Sequence, residues 1–278
     1  AIEHYLIMRL FRAGGSAYPV TIRYPNPLMA QHQITMQLDL CENNHQWHFR
    51  LRQRYELPWM RVVATGMAEA GAFVDVGANV GVFALTIAQA YPEARVVAVE
   101  PLRSTYEALR RNVALNGLSN VTTIQAAVTA VEELVPFYVN PIHDGGGSLL
   151  EPAEYRTGDV RLPVEAYRRR HPDFVPRMEV PAIRLNELIQ QPSVIKVDVE
   201  GAELDVLESG ASALAQGLVH LAVVEVRRET IEAVVGFLDS VGFDCYGQGQ
   251  QIPLQETRAY ASCFEVAPYP SLLCRWRG

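Results

Sequence analysis

Lysine is almost absent from this chain. Of the 24 basic residues in 278, 23 are arginine, and Lys196 stands alone. Coding bias explains most arginine-for-lysine exchange on a surface, so a lysine that survives it marks a place where a planar guanidinium does not substitute. Cysteine is scarce too: Cys41, Cys245, Cys263 and Cys274 form no CxxC pair. That spacing excludes a zinc knuckle or a disulfide framework and fits free thiols in a reducing cytoplasm, the expected location. No run approaches 18 consecutive apolar residues, so no membrane-spanning helix is expected. The opening AIEHYLIMRLFRAGG carries Glu3 and His4 and lacks a long apolar core, so it does not read as a secretory signal. Net charge is −7, which argues against a nucleic-acid partner needing a broad basic surface.

What is present is a globular composition: 49% apolar and 20% charged residues, far from the disordered class. At about 150 residues per domain, the length suggests one large or two small domains. Two textures divide it. Residues 1–55 hold a short helical stretch (2–12) and three short strand patterns, VTIRY, QITMQLDL and QWHFRLR, with CENN (Cys41 to Asn44) as a hairpin turn. This predicts a small N-terminal β cap. Residues 56–69 read as a helix leading into a second region, 56–278.

From Ala72 onward apolar strands alternate with helices. AFVDV, RVVAVEP, NVTTIQAAV, VIKVDVEG and LAVVEV are the strands, separated by helical runs such as STYEALRRNVALNGL and AELDVLESGASALAQG. Nearly continuous apolar strands between helices predict a doubly wound, mostly parallel α/β sheet of the Rossmann-like kind. The tail (CYGQ, CFEVAP, SLLCRW) reads as terminal strands adding antiparallel pairing. Between the third and fourth strands lies an irregular insert at about 140–181, with DGGGS (Asp144 to Ser148) and an arginine-rich run. Long inserts of this kind are usually functional lids or disordered segments. Arg168, Arg169 and Arg170 read either as a solvated helix face or as a dock for an anionic carrier.

The chemistry concentrates at strand ends. In Phe73-Val-Asp-Val-Gly-Ala-Asn-Val-Gly81 a strand runs into glycines and then an amphipathic helix. Gly77 permits a tight turn and close ligand approach, and the helix N-terminus beyond can receive a carboxylate. Asp75 can accept from a ligand ammonium or its water shell. Spacing D-x-G-x-N-x-G, rather than G-x-G-x-x-G, disfavours a pyrophosphate cradle and with it the rival reading as an NAD-dependent oxidoreductase. Twenty-five residues on, Glu100 ends the second strand before Pro101, where an acid accepts from ribose hydroxyls. Ala126 falls where an adenine edge would lie.

In VIKVDVEG, alternation puts Lys196, Asp198 and Glu200 on one strand face. Charges on a buried strand are costly unless they pair or serve a site. Asp198 is the first candidate to orient or deprotonate an acceptor. Lys196 would steady a developing alkoxide, or act as base if burial lowers its pKa. Glu225, ending the fifth strand, is the third candidate; its plainer reading is a buried acid paired with Arg227 or Arg228. Asp198 and Glu225 could share Mg²⁺, but nothing fixes a third ligand, so a metal is not favoured. His143, Asp144 and Ser148 in the insert have no determined role.

DVGANVG (Asp75 to Gly81), VEP (Val99 to Pro101) and KVDVEGAELDVL (Lys196 to Leu207) together resemble the FkbM family of class I S-adenosylmethionine-dependent methyltransferases, over about residues 55–245. The resemblance implies adenosylmethionine bound by Asp75, Gly77, Ala78, Asn79, Gly81, Glu100, Pro101 and Ala126, with a methyl-transfer role for the Lys196–Glu203 segment. It implies O-methylation of a hydroxyl on a small or carrier-bound metabolite or saccharide. A non-catalytic adenosylmethionine-binding module is the other rival. Asn186, where the family often carries an acid, and Arg227, near where it carries histidine, depart from the pattern.

Overall fold

The computed structural model describes residues 19–40, 56–131, 133–142, 147–157, 160–248, 250, 253–258, 260–266 and 270–278. The expected helix at 2–12, the CENN turn, the QWHFRLR strand, His143 and Asp144 lie outside them. In chain order the strands are β1 (Pro19–Asn26), β2 (Met29–Asp39), β3 (Ala72–Val76), β4 (Arg95–Val99), β5 (Val121–Ile124), β6 (Ala127–Val128), β7 (Leu134–Tyr138), β8 (Glu154–Thr157), β9 (Val160–Pro163), β10 (Arg177–Ile183), β11 (Ser193–Val197), β12 (Val219–Glu225), β13 (Phe243–Tyr246) and β14 (Ser271–Trp276). The helices are α1 (Leu57–Gly66), α2 (Val82–Ala90), α3 (Arg103–Leu115), α4 (Val164–Arg170), α5 (Leu185–Leu188), α6 (Glu203–Glu208), α7 (Ala211–Ala215), α8 (Ile231–Ser240), α9 (Leu254–Thr257) and α10 (Tyr260–Val266).

Seven strands form the central sheet in the order β13-β14-β12-β11-β3-β4-β5. Strands β12, β11, β3, β4 and β5 are parallel, as their largely apolar sequences lead one to expect. Antiparallel β14 slots between β12 and β13, so the tail does add antiparallel pairing. The CFEVAP segment does not: it falls largely in α10. The strand order reverses between β3 and β11, which makes their carboxyl ends the place where a crevice opens.

Antiparallel β1 and β2 turn at Pro27–Leu28, where Asn26 Oδ1 accepts from the Leu28 amide at 2.8 Å. Their apolar face (Tyr24, Ile34, Met36, Leu38) packs in one core with α1 and α2. This corrects the reading of α2 as amphipathic: Val82 to Ala88 are all buried, because the hairpin covers the side that would face water. Helix α3 supplies the polar half of that contact. Asn116 pairs with the Thr35 amide and carbonyl, and Asn112 accepts from the Gln37 amide. Two asparagine side chains thereby satisfy backbone groups of β2.

Three further expectations need correction. The third strand, 120–128, splits at Gln125–Ala126: β5 stays in the main sheet while β6 pairs with β10. The helix at 202–217 is two, broken where a Cβ at Gly210 would sit 2.6 Å from Leu185. The insert is not irregular. Antiparallel β7 and β10 bracket it, β8 and β9 form a hairpin within it, and Tyr155 (1% exposed) packs edge-on against Tyr167 and Phe174.

Candidate active site

Two structures meet at the switch point. After β3 the chain makes a tight loop held by its own backbone. The Gly77 and Ala78 amides donate to the Val99 carbonyl at 3.0 and 2.9 Å, and Gly81, at φ 99°, opens α2. Gly77 has φ 77°, and a Cβ there would lie 1.9 Å from the Asp198 carbonyl oxygen. The sequence pointed to a glycine that admits a ligand. The neighbouring strand's backbone already demands it.

Asp75 is buried, with Oδ2 accepting from the Ala84 amide in the first turn of α2 at 3.1 Å. Its Oδ1 has no hydrogen-bond partner among the described residues and lies 3.9 Å from Lys196 Nζ. Burial raises this carboxyl to about 6, Lys196 pulling against it. Glu100 is 8% exposed and turned inward: Oε2 accepts from the Asn79 amide (3.1 Å) and Oε1 from the Leu102 amide (3.0 Å). Two backbone donors thus orient it. Asn79, at φ 51°, holds its own turn by accepting from the Val80 amide. Pro101 directly follows Glu100, and Ala126 is buried beside β6.

The second structure follows β11, which ends at Val197 rather than continuing to Gly201. The alternation that would align Lys196, Asp198 and Glu200 therefore stops, and Glu200 enters the left-handed region at φ 60°, followed by Gly201 at 107°. A non-glycine residue there stores strain that its contacts must repay. Arg227 Nη2 donates to Glu200 Oε2 at 2.5 Å, and the Ser148 hydroxyl donates to the Glu200 carbonyl at 3.0 Å. Ser148 thus has a role: it ties the insert to the strand end.

Lys196 Nζ donates to Asp198 Oδ2 at 3.0 Å and lies over the Phe83 ring at 5.1 Å. Burial opposes its charge, but Asp198, Asp75 and Glu56 outweigh that and raise its pKa. That direction favours the ammonium form over a neutral lysine base. Glu225 reaches the same place from β12, and one oxygen each of Asp198, Glu200 and Glu225 lie within 4.8 Å of one another. Burial, then Asp198 and Glu200, push the Glu225 carboxyl well above the usual range. The same order of causes, with Arg227 opposing, holds Glu200 at about 7.

The predicted pairing of Glu225 with Arg227 or Arg228 is absent among the described residues. Arg227 is taken by Glu200, and Arg228 stacks on Phe264 at 4.6 Å. Glu200, which alternation had put on one face with Lys196 and Asp198, supplies beside Asp198 and Glu225 the third carboxylate that the sequence had left open. Arg227 as its partner was hidden because the contact spans 27 residues. Asn186 lies elsewhere and caps α7, accepting from the Ala213 amide. In the arginine run, Arg168, Arg161 and Arg177 face Glu165, Glu154 and Glu179, so less unpaired charge remains than the count of arginines implies.

A strand-end glycine loop, an inward acid one strand over and a carboxylate group at the next two strands form one working face. Residues 75–245 match the model of the methyltransferase FkbM domain, more than half of the chain. The chain belongs to the FkbM methyltransferase family. It is 33% identical over 194 residues to Methyltransferase sdnD of Sordaria araneosa, covering 62% of this chain and 73% of that protein. It is 28% identical over 145 residues to Methyltransferase 1 of Beauveria bassiana ARSEF 2860 (48% and 56%). With AMB antimetabolite synthetase AmbE of Pseudomonas aeruginosa it shares 28% over 233 residues, 70% of this chain but 10% of that one. Among solved structures, the methyltransferase domain of bacterial CtHen1-C superposes with a TM-score of 0.46 at 9% identity, covering 82% of this chain and all of that one. The human methyltransferase 10 domain containing protein gives 0.39 at 11% (82% and 80%). As a member of this family the chain is a methyltransferase.

Proposed function

We propose that this methyltransferase takes its methyl group from S-adenosylmethionine, bound across the ends of β3 and β4, and delivers it to a hydroxyl of a small or carrier-bound metabolite or saccharide. The observation that carries the donor is Asp75 Oδ1, a buried acceptor with no hydrogen-bond partner among the described residues and Lys196 Nζ 3.9 Å away, at the foot of the glycine loop. An amino-acid ammonium fits that oxygen. Glu100, an acid at the end of β4 oriented by two amides, stands where the vicinal hydroxyls of a ribose would lie. When bound, the sulfonium supplies an electrophilic methyl carbon.

The protein's part is alignment and proton handling. Asp198 accepts from Lys196 through Oδ2 and keeps its second oxygen for an acceptor hydroxyl, holding it in line. As that hydroxyl loses its proton, the Lys196 ammonium steadies the growing negative charge, and a carboxylate of the Asp198–Glu200–Glu225 group receives the proton. A carrier-bound acceptor draws support from the match to part of a large synthetase, AmbE. Oxygen as the nucleophile follows the family resemblance.

Calorimetry with adenosylhomocysteine and with NAD tests it. Adenosylhomocysteine should bind and NAD should not; NAD binding alone would overturn the donor assignment. Replacing Glu100 by Ala should weaken adenosylhomocysteine by about 1–3 kcal/mol, the loss of a charged hydrogen-bond acceptor.

A further inference from the structure

At one edge of the central sheet two thiols face each other. Strand β13 is the outermost strand there and pairs antiparallel with β14, in a register that sets Cys245 directly opposite Cys274. The kind of opposite pair follows from Gln255, in α9. Its Oε1 accepts from the Cys245 amide at 3.1 Å, and its Nε2 donates to the Phe243 carbonyl at 2.7 Å. These backbone groups therefore point out of the sheet, away from β14. In an antiparallel ladder such a residue meets its partner at a non-hydrogen-bonded position, where Cα atoms approach to about 4.5 Å and side chains stand closest. A disulfide spans Cα separations of about 4.4–6.8 Å, so a pair of this kind lies within its reach. Both cysteines are 0% exposed, belong to one core cluster and are free thiols. Burial, then the Cys245 thiol, pushes the Cys274 thiol well above its usual range, which keeps it protonated while the edge is closed.

We infer that Cys245 and Cys274 form a reversible cross-strand disulfide that latches β13 to the sheet, with Gln255 as the clip that governs access of the oxidant. Spacing in the chain reads these residues as free thiols because only the fold brings them opposite. The oxidant is a low-molecular-weight disulfide. An edge strand of four residues opens at lower cost than the sheet interior. When β13 lifts, the Cys245 thiolate attacks one sulfur of the small disulfide, whose S–S bond breaks and releases one small thiol. Cys274 then attacks the mixed disulfide at the Cys245 sulfur; the protein S–S bond forms and the second small thiol leaves. The two protein thiols thus lose two electrons and two protons, which the small disulfide takes up as it becomes two thiols. The other edge of β14 pairs with β12, Ser271 opposite Glu225, so the latch acts on the strand beside the one that carries Glu225. It stands apart from the choice of methyl donor.

The test incubates the reduced whole chain with glutathione disulfide, blocks remaining thiols with N-ethylmaleimide and maps its peptides by mass spectrometry without reductant. A linked Cys245–Cys274 peptide, lost after dithiothreitol, is expected. No link, glutathione adducts alone, or a link to Cys263, whose sulfur lies 2.8 Å from where a Cβ at Gly247 would stand, would overturn the inference. Amide hydrogen exchange over Phe243–Tyr246 should slow about tenfold or more in the oxidised chain and recover after dithiothreitol, because the cross-link removes open states of the strand. Equal exchange in both forms would show that the bond latches nothing. Gln255→Ala should speed formation of the link about tenfold, since opening β13 then breaks two hydrogen bonds fewer. An unchanged rate would overturn the role of the clip. Cys274→Ala should give neither the link nor redox-dependent exchange. If that variant does not fold, mapping and exchange on the unaltered chain decide alone.

Discussion

The loop after β3 and the turn after β11 touch at Gly77 and Asp198, yet different forces hold them. The first is a backbone structure: amide donors from Gly77, Ala78 and Asn79 are spent on the Val99 carbonyl and Glu100, and Gly77, Asn79 and Gly81 occupy the positive-φ positions that close it. The second is a side-chain structure: Glu200 stays at φ 60° beneath an arginine from beyond β12 and a serine from the insert. A backbone-built loop is set once the fold forms and cannot be tuned in small steps. A turn built from ion pairs can be altered residue by residue, and it responds to pH and to charge on the ligand.

The sharpest way to break this comparison is Gly77→Ala. Its Cβ would stand 1.9 Å from the Asp198 carbonyl with φ at 77°, so strain and clash both apply. The expected loss is more than about 4 kcal/mol, read as a collapse of the denaturant midpoint. A near-normal midpoint would mean that the two strand ends can part, and the loop would lose its claim to rigidity.

Arg227→Met comes next. It leaves Glu200 unpaired in a place where both side chains are only about a quarter exposed (28% and 24%). A loss of about 1–3 kcal/mol is expected, below that for a fully buried pair because water still reaches both groups. Arg227→Lys should recover part of it, since a point charge can reach one carboxylate oxygen without the planar fork. A cost equal to that of Gly77→Ala would erase the distinction between the two halves.

How much of this was legible beforehand divides along the same line. The sheet, the glycine loop and the inward Glu100 follow from local patterns: continuous apolar strands, glycine where φ must be positive, an acid at a strand end. The carboxylate group was half legible. Asp198 and Glu225 sit at strand ends and were visible, whereas Glu200 joins them through a left-handed turn that overrides the strand alternation on which its placement had rested. The ordered insert was unreadable because its core is a few aromatics, Tyr155, Tyr167 and Phe174, too widely spaced to show a period. Helix α2 misled because the covering hairpin comes from far upstream. Sequence periodicity registers a residue's own element and misses what packs on it later.

The smallest expected effect separates the two halves by pH. Glu200 titrates at about 7 in the folded chain against an ordinary 4.5. The folded state therefore keeps a proton that the unfolded chain gives up. The stability linked to that proton is fully present below about 4.5 and is lost as pH rises through about 7. Asp75, at about 6, and Glu225 act in the same direction. Melting temperature should thus fall between pH 5 and pH 8 by a few degrees, roughly what one or two kcal/mol does in a chain of this size. Glu200→Gln removes one titrating group while leaving an oxygen for Arg227 to donate to, so the decline should become shallower without vanishing. Asn79→Gly, which alters the backbone-built loop and no charge, should leave the slope as it was. If instead the slope follows Asn79 and ignores Glu200, the pH response belongs to the rigid half, and the division of labour between the two strand ends is drawn in the wrong place.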